Sequence, residues 1–123
     1  AIAYPTLQQA VQKSRRADGM GALASLMQAQ ERWRSSNPTY QSKLDELPGA
    51  PAVSNDQHYQ LSIVEGSATA TAYTARATAR SGSPQSGDSR CRTLQVAING
   101  GAIIYSSESS NGANAAPDPC WVR

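Results

Sequence analysis

From Tyr4 to Ser36 the chain contains no proline after Pro5 and few β-branched residues, and Ala, Leu, Met, Gln, Glu and Arg dominate. That composition favours a single long helix. About 33 helical residues span roughly 50 Å. This is long for a chain of 123 residues, which has room for one domain around one core. Pro5 suits a helix start and would kink a helix continuing upstream.

The apolar residues of this segment aim in two directions. In its second half Ala22, Leu23, Leu26, Ala29, Gln30 and Trp33 recur on one side at helical spacing. In its first half Tyr4, Leu7, Ala10 and Val11 form another stripe, rotated from the first, with Lys13, Ser14, Arg15, Arg16 and Asp18 between the two. Two differently aimed apolar faces call for two packing partners. The second half is expected to pack on its own domain, and the first half on another molecule. Gly19 and Gly21 lie between them, each costing about 1 kcal/mol against Ala in a helix interior. They mark a close contact or a soft point, or are merely tolerated. No stretch approaches the roughly 20 apolar residues that span a bilayer. Ala1 to Ala3 reads as the stub of a longer apolar segment.

Residues 37–56 read as a loop, opened by Asn37-Pro38 and kept irregular by Pro48, Gly49 and Pro51. From residue 57 the period becomes two. Tyr59, Leu61 and Ile63 alternate with polar residues as in a half-buried strand, which makes His58 a solvent-facing strand residue. Residues 68–79 form a second strand, with Tyr73, Ala75 and Ala77 on one face. Residues 81–90 are a loop. Leu94, Val96 and Ile98 mark a third strand, Asn99-Gly100 a hairpin turn, and residues 102–105 a fourth strand. Residues 106–119 show no period. The sequence thus predicts an α+β fold: a long N-terminal helix (1–36) packed on a four-stranded antiparallel sheet (57–105), a helix-to-sheet loop (37–56) and a C-terminal loop. The helix–sheet core is expected at Ala22, Leu23, Leu26, Ala29, Trp33, Tyr59, Leu61, Ile63, Leu94 and Val96.

Cys91 and Cys120 lack the close spacing of zinc or redox motifs. They are either two buried thiols or, the preferred reading, one disulfide formed in an oxidising compartment. A bond between them would fasten the aperiodic tail to the sheet and stabilise the fold by roughly 3–4 kcal/mol in the chain-entropy picture.

Catalytic chemistry finds little support. With one His and two Cys, a metal cluster of several such ligands is almost excluded. There is no nucleophile elbow, P-loop or dinucleotide fingerprint. The chain is read as non-enzymatic, with no catalytic residues, metal or cofactor. A net charge of +2 is too small to imply nucleic-acid binding by itself. Arg76, Arg80, Arg90 and Arg92, however, would share one edge of the sheet if their strands are neighbours. Arginine clusters suit phosphate, and these four form the candidate DNA contact. The bland alternative is a solvated face. No aromatic residue interleaves with them, which weakens a single-strand stacking model.

Several segments resemble type IV pilins, most closely minor pilins of the PilE-like group. Ala1-Ile2-Ala3-Tyr4-Pro5 looks like the end of the hydrophobic pilin arm. Ser14-Arg15-Arg16-Ala17-Asp18, Gln28-Ala29-Gln30-Glu31-Arg32-Trp33 and Asn37-Pro38-Thr39-Tyr40 are similar to the group's helix and helix exit. Tyr59 with Leu61 and the run Ala70–Ala79 resemble its first strands. Gly87-Asp88-Ser89-Arg90-Cys91, Thr93-Leu94 and Cys120-Trp121 resemble its disulfide-bounded region, here 91–120.

The resemblance implies a structural minor pilin of a type IV pilus, contributing to a priming or tip complex and to twitching motility or adhesion. It also implies an inner-membrane anchor with a periplasmic domain before assembly, a place in the surface fimbrium afterwards, and N-terminal methylation. Partners would be other major and minor pilins, met through Tyr4, Pro5, Leu7, Ala10 and Val11. Without the arm the domain is expected to be a monomer. Two alternatives share the fold: a DNA receptor pilin for DNA uptake, using the arginine patch, and a pseudopilin of type II secretion.

Overall fold

The computed structural model describes residues 3–115 and 118–121, with side chains from Leu7 onward. A single helix, α1 (Ala3–Arg34), lies against an antiparallel sheet of β1 (Tyr59–Ile63), β2 (Ala72–Ala79), β3 (Thr93–Asn99), β4 (Ala102–Ser109) and β5 (Gly112–Ala113), whose spatial order is the chain order. Pro5 sits in the first turn of α1, where its missing N–H costs no bond within the helix. The helix ends before Asn37, whose side-chain amide donates to the Trp33 carbonyl at 2.7 Å and occupies one of the orphan acceptors of the last turn.

β2 alternates strictly, with Tyr73, Ala75, Ala77 and Ala79 buried beneath the helix and Thr74, Arg76 and Thr78 on the outer face. Three small residues in that row let α1 come close. Leu23, Leu26 and Ala29 descend onto it, together with Tyr59, Leu61, Leu94, Val96 and Ile98. Trp33 and Ile63 flank this core and are only partly buried. The two glycines of α1 separate cleanly. A Cβ at Gly19 would stand 2.9 Å from Cδ1 of Tyr59, whereas one at Gly21 would meet nothing within 4 Å. Gly19 is therefore a close helix–sheet contact and Gly21 is open to solvent.

The sheet has five strands, not four. β4 runs on through Ser106–Ser109, and a short β5 pairs Glu108 with Ala113. Serine-rich sequence hides this extension because serine carries no β-strand signal. What holds it is specific: Ser107 is buried, its hydroxyl donates to the Asp118 carboxylate at 2.7 Å, and Gly112 turns the chain at φ 128°. The preceding hairpin turn is centred one residue later than Asn99-Gly100 suggests. Asn99 pairs with Ala102, and Gly100 and Gly101 both take positive φ.

The 81–90 loop contains two 3-10 turns, Pro84–Gly87 and Ser89–Cys91. The Ser83 hydroxyl caps the first by accepting from the Gln85 N–H, and it lies 2.6 Å from Nδ1 of His58. That contact makes His58 half-buried, just ahead of β1, rather than solvent-facing within it. Cys91 and Cys120 form a disulfide, both sulfurs buried, which ties the C-terminal segment to the start of β3.

Candidate functional site

Inward packing of Ala75, Ala77 and Ala79 on β2, and of Leu94, Val96 and Ile98 on β3, leaves the alternate residues on the face away from the helix. There the register sets Arg76 between Ser62 and Gln95, and Thr78 between Gln60 and Thr93. Just past β2, the Arg80 N–H donates to the His58 carbonyl at 2.9 Å. The Ala79 N–H donates to the Arg92 carbonyl, also at 2.9 Å. These two bonds bring Arg80 and Arg92 to one groove of about 320 Å³, shared with Gln60, Ser62, Thr78 and Ser81. Arg76 occupies the same outer face two positions before Thr78. Arg90 stands apart, exposed on the Ser89–Cys91 turn, and does not line that groove.

The four arginines differ in their company. Arg76 donates from Nε to Oε1 of Gln95 at 2.7 Å, and its Nη2 lies 3.6 Å from the Glu108 carboxylate. Arg80 donates to the Gln57 carbonyl at 3.3 Å. Arg80, Arg90 and Arg92 form no ion pair among the described residues. A guanidinium without a carboxylate neighbour keeps its full charge for an incoming anion, and its planar fork suits phosphate oxygens.

The first half of α1 presents a second surface. Leu7 is 58% and Val11 37% exposed, and with Gln8 and Arg15 they line a shallow depression of about 390 Å³. Ala10 is exposed beside them. The side chains of Tyr4 and Pro5 lie outside the described residues. Among the described residues of this stripe, Leu7, Ala10 and Val11, none is buried.

Between the two surfaces is a polar knot with little sequence signal. Arg16 grips the buried Asp88 with two bonds, at 2.7 and 3.1 Å. Gln85 is also buried, and its side-chain nitrogen reaches the Gln12 carbonyl at 3.0 Å, Oη of Tyr59 at 2.9 Å and Asp88 at 3.0 Å. Burial pushes the Tyr59 hydroxyl up to about 12. Two residues along, the Asp18 carboxylate accepts from the Ser54 hydroxyl and from the Asp56 N–H at 3.0 Å, holding the loop before β1. Apart from Gln85–Asp88, these polar residues pair across 26 to 73 positions and leave no local pattern to read. The one legible trace is Asp88, bracketed by neutral Gly87 and Ser89 in the 81–90 loop.

A long helix lying on an antiparallel meander, with a disulfide fastening the segment after the sheet, defines the type IV pilin class of fold. Within that class, residues 5–95 match the family described as "Type IV minor pilin ComP, DNA uptake sequence receptor". The match spans well over half of the chain, and the chain belongs to this family. No individual curated protein matches it. The family is one of structural pilus components, which implies a place in the pilus at the cell surface and points to other pilins as partners. No helix among the described residues is long and apolar enough to cross a membrane.

Proposed function

We propose that this minor pilin binds DNA from within a type IV pilus, using the outer face and edge of its sheet. The observation that carries the reading is the placement of Arg80 and Arg92 in one groove, with Arg90 exposed on the adjacent turn and no carboxylate among the described residues paired to any of the three. The family description names a DNA uptake sequence receptor, which supports the same assignment. Among the described residues no aromatic ring lines that groove, so the contact is to the phosphates of a duplex rather than to unstacked bases.

The test is binding of duplex DNA by the domain across a salt series. Affinity falls steeply with salt in the wild type, and replacing Arg80 and Arg92 together with Ala reduces both affinity and slope, by about two counterions. A domain that binds no duplex at low salt overturns the reading.

Leu7, Ala10 and Val11 support a second, compatible role: an assembly face towards neighbouring pilins, including a place in a priming or tip complex. Leu7→Asp with Val11→Asp in the full-length protein removes it from sheared pili while the isolated domain stays folded. Normal incorporation of that variant rejects this role.

A further inference from the structure

Among the arginines of the outer face, Arg76 alone is engaged by two side chains, and this separates its role from that of the others. Gln95 takes the Nε hydrogen at 2.7 Å and fixes the plane of the guanidinium. Glu108, opposite Thr93 on β4, brings its carboxylate to 3.6 Å from Nη2. Both partners of this ion pair are 38% exposed, so the dyad is presented to whatever covers the sheet. The N–H groups of Nη1 meet no acceptor among the described residues.

A phosphate is a poor ligand for such a pair. The carboxylate cancels much of the arginine's charge and repels a second anion at the same distance. A neutral base edge incurs no such repulsion. In the major groove a G·C pair shows two acceptors, O6 and N7 of guanine, beside one donor, N4 of cytosine. An arginine supplies two parallel donors and a neighbouring glutamate supplies an acceptor, which is the complementary pattern. Arg80, Arg90 and Arg92 pair with no carboxylate among the described residues and suit the phosphates that set register.

We propose that Arg76 and Glu108 form a base-reading dyad for one G·C pair, with Gln95 as its positioning residue. This rests on the DNA-binding reading above. It divides the labour on one face: charge-matched arginines hold the backbone, and the charge-cancelled arginine reads sequence.

The experiment selects a randomised duplex pool on the wild-type domain, then measures binding of the enriched duplex with each G·C pair changed in turn to A·T. One such change is expected to weaken wild-type binding by about fivefold or more, the range of one bidentate base contact. Arg76→Lys keeps the charge and loses that discrimination, and Glu108→Gln reduces it. Arg76→Lys keeps the wild-type salt slope for unselected duplex, Glu108→Gln frees the arginine's charge and raises that slope by up to about one, and both leave the thermal melt unchanged. Arg80→Ala, in contrast, weakens all duplexes alike and lowers the slope by about one. If Arg76→Lys retains full discrimination, or if the wild type binds duplex without enriching any sequence, the dyad assignment is overturned while phosphate binding stands. If the wild type binds no duplex at all, the function proposed above falls with it.

Discussion

The two halves of α1 are built from similar residues and live in different surroundings. From Arg16 to Arg34 the helix buries Gly19, Ala22, Leu23, Leu26, Ala29 and Gln30. It is pinned at both ends by polar contacts, Arg16 to Asp88 and Arg34 to the Ala70 carbonyl. From Leu7 to Arg15 no residue is buried, and the largest apolar side chain is more than half exposed. Dimensions explain the split. A 32-residue helix is about 48 Å long, whereas the longest strands reach about 27 Å and five strands side by side about 20 Å. One small sheet cannot cover such a rod. The Arg16–Asp88–Gln85 knot marks where the fold's own contacts stop, and the stripe beyond it is left for another surface. An amphipathic pattern alone does not say which molecule satisfies it. Polar anchors do.

Matched substitutions in the two halves sharpen this contrast. The largest difference is expected between Arg16→Ala and Arg15→Ala. The first leaves Asp88, 3% exposed, without its cationic partner, and lowers unfolding free energy by about 3–5 kcal/mol. The second changes it by less than about 0.5 kcal/mol. Urea unfolding of both variants measures the gap, and equal midpoints would break the comparison.

Next come Leu26→Ala, costing about 2–5 kcal/mol at a fully buried site, and Leu7→Ala, which is near neutral in the isolated domain. Alkali should have an effect on the order of 2 kcal/mol through the packed half alone. In the unfolded chain tyrosine ionises near pH 10, whereas the folded chain holds the Tyr59 proton to about 12 and raises Tyr73 as well, both through burial. Between those values the folded state binds more protons, so stability is complete below pH 10 and falls as pH rises through the window. A urea midpoint that does not move between pH 9.5 and 11.5, conditions chosen to span roughly that range, would contradict it.

The smallest and most diagnostic pair is Gly19→Ala against Gly21→Ala. The first drives a Cβ into the Tyr59 ring and costs about 1–3 kcal/mol. The second meets open space and stabilises the helix by up to about 1 kcal/mol. Opposite signs from two glycines two residues apart would place the helix–sheet contact at single-residue precision.

How much of this was legible in the sequence varied with the range of the interactions. The long helix and the inner faces of β1, β2 and β3 announce themselves, because periodicity is local and Leu26, Tyr59, Tyr73 and Val96 repeat at the spacing of their elements. The gathering of Arg80 and Arg92 depends on β2 and β3 being neighbours, a condition that the sequence leaves open and the sheet order meets. Arg90 was beyond that logic, since a 3-10 turn sets its direction. Gly19 and Gly21 look alike in sequence and differ only in what stands across from them. The continuation of β4 through four residues of mostly serine, and the pairing of Arg76 with Glu108 across β3, depend on partners distant in the chain. Gln30 is the instructive exception. Its place in an apolar stripe was legible but its reason was not: the buried amide forms a two-way bridge to the backbone of Gln41, accepting from its N–H and donating to its carbonyl at 2.9 Å each.

The Cys91–Cys120 bond has a consequence for a protein displayed outside the cell. Exposed chain between the two half-cystines, such as Ser110 to Ala113, is accessible to extracellular proteases. A single cut there produces two polypeptides that remain one covalent unit. The clipped subunit sheds no fragment, and the nick is visible only on a denaturing gel run with reductant.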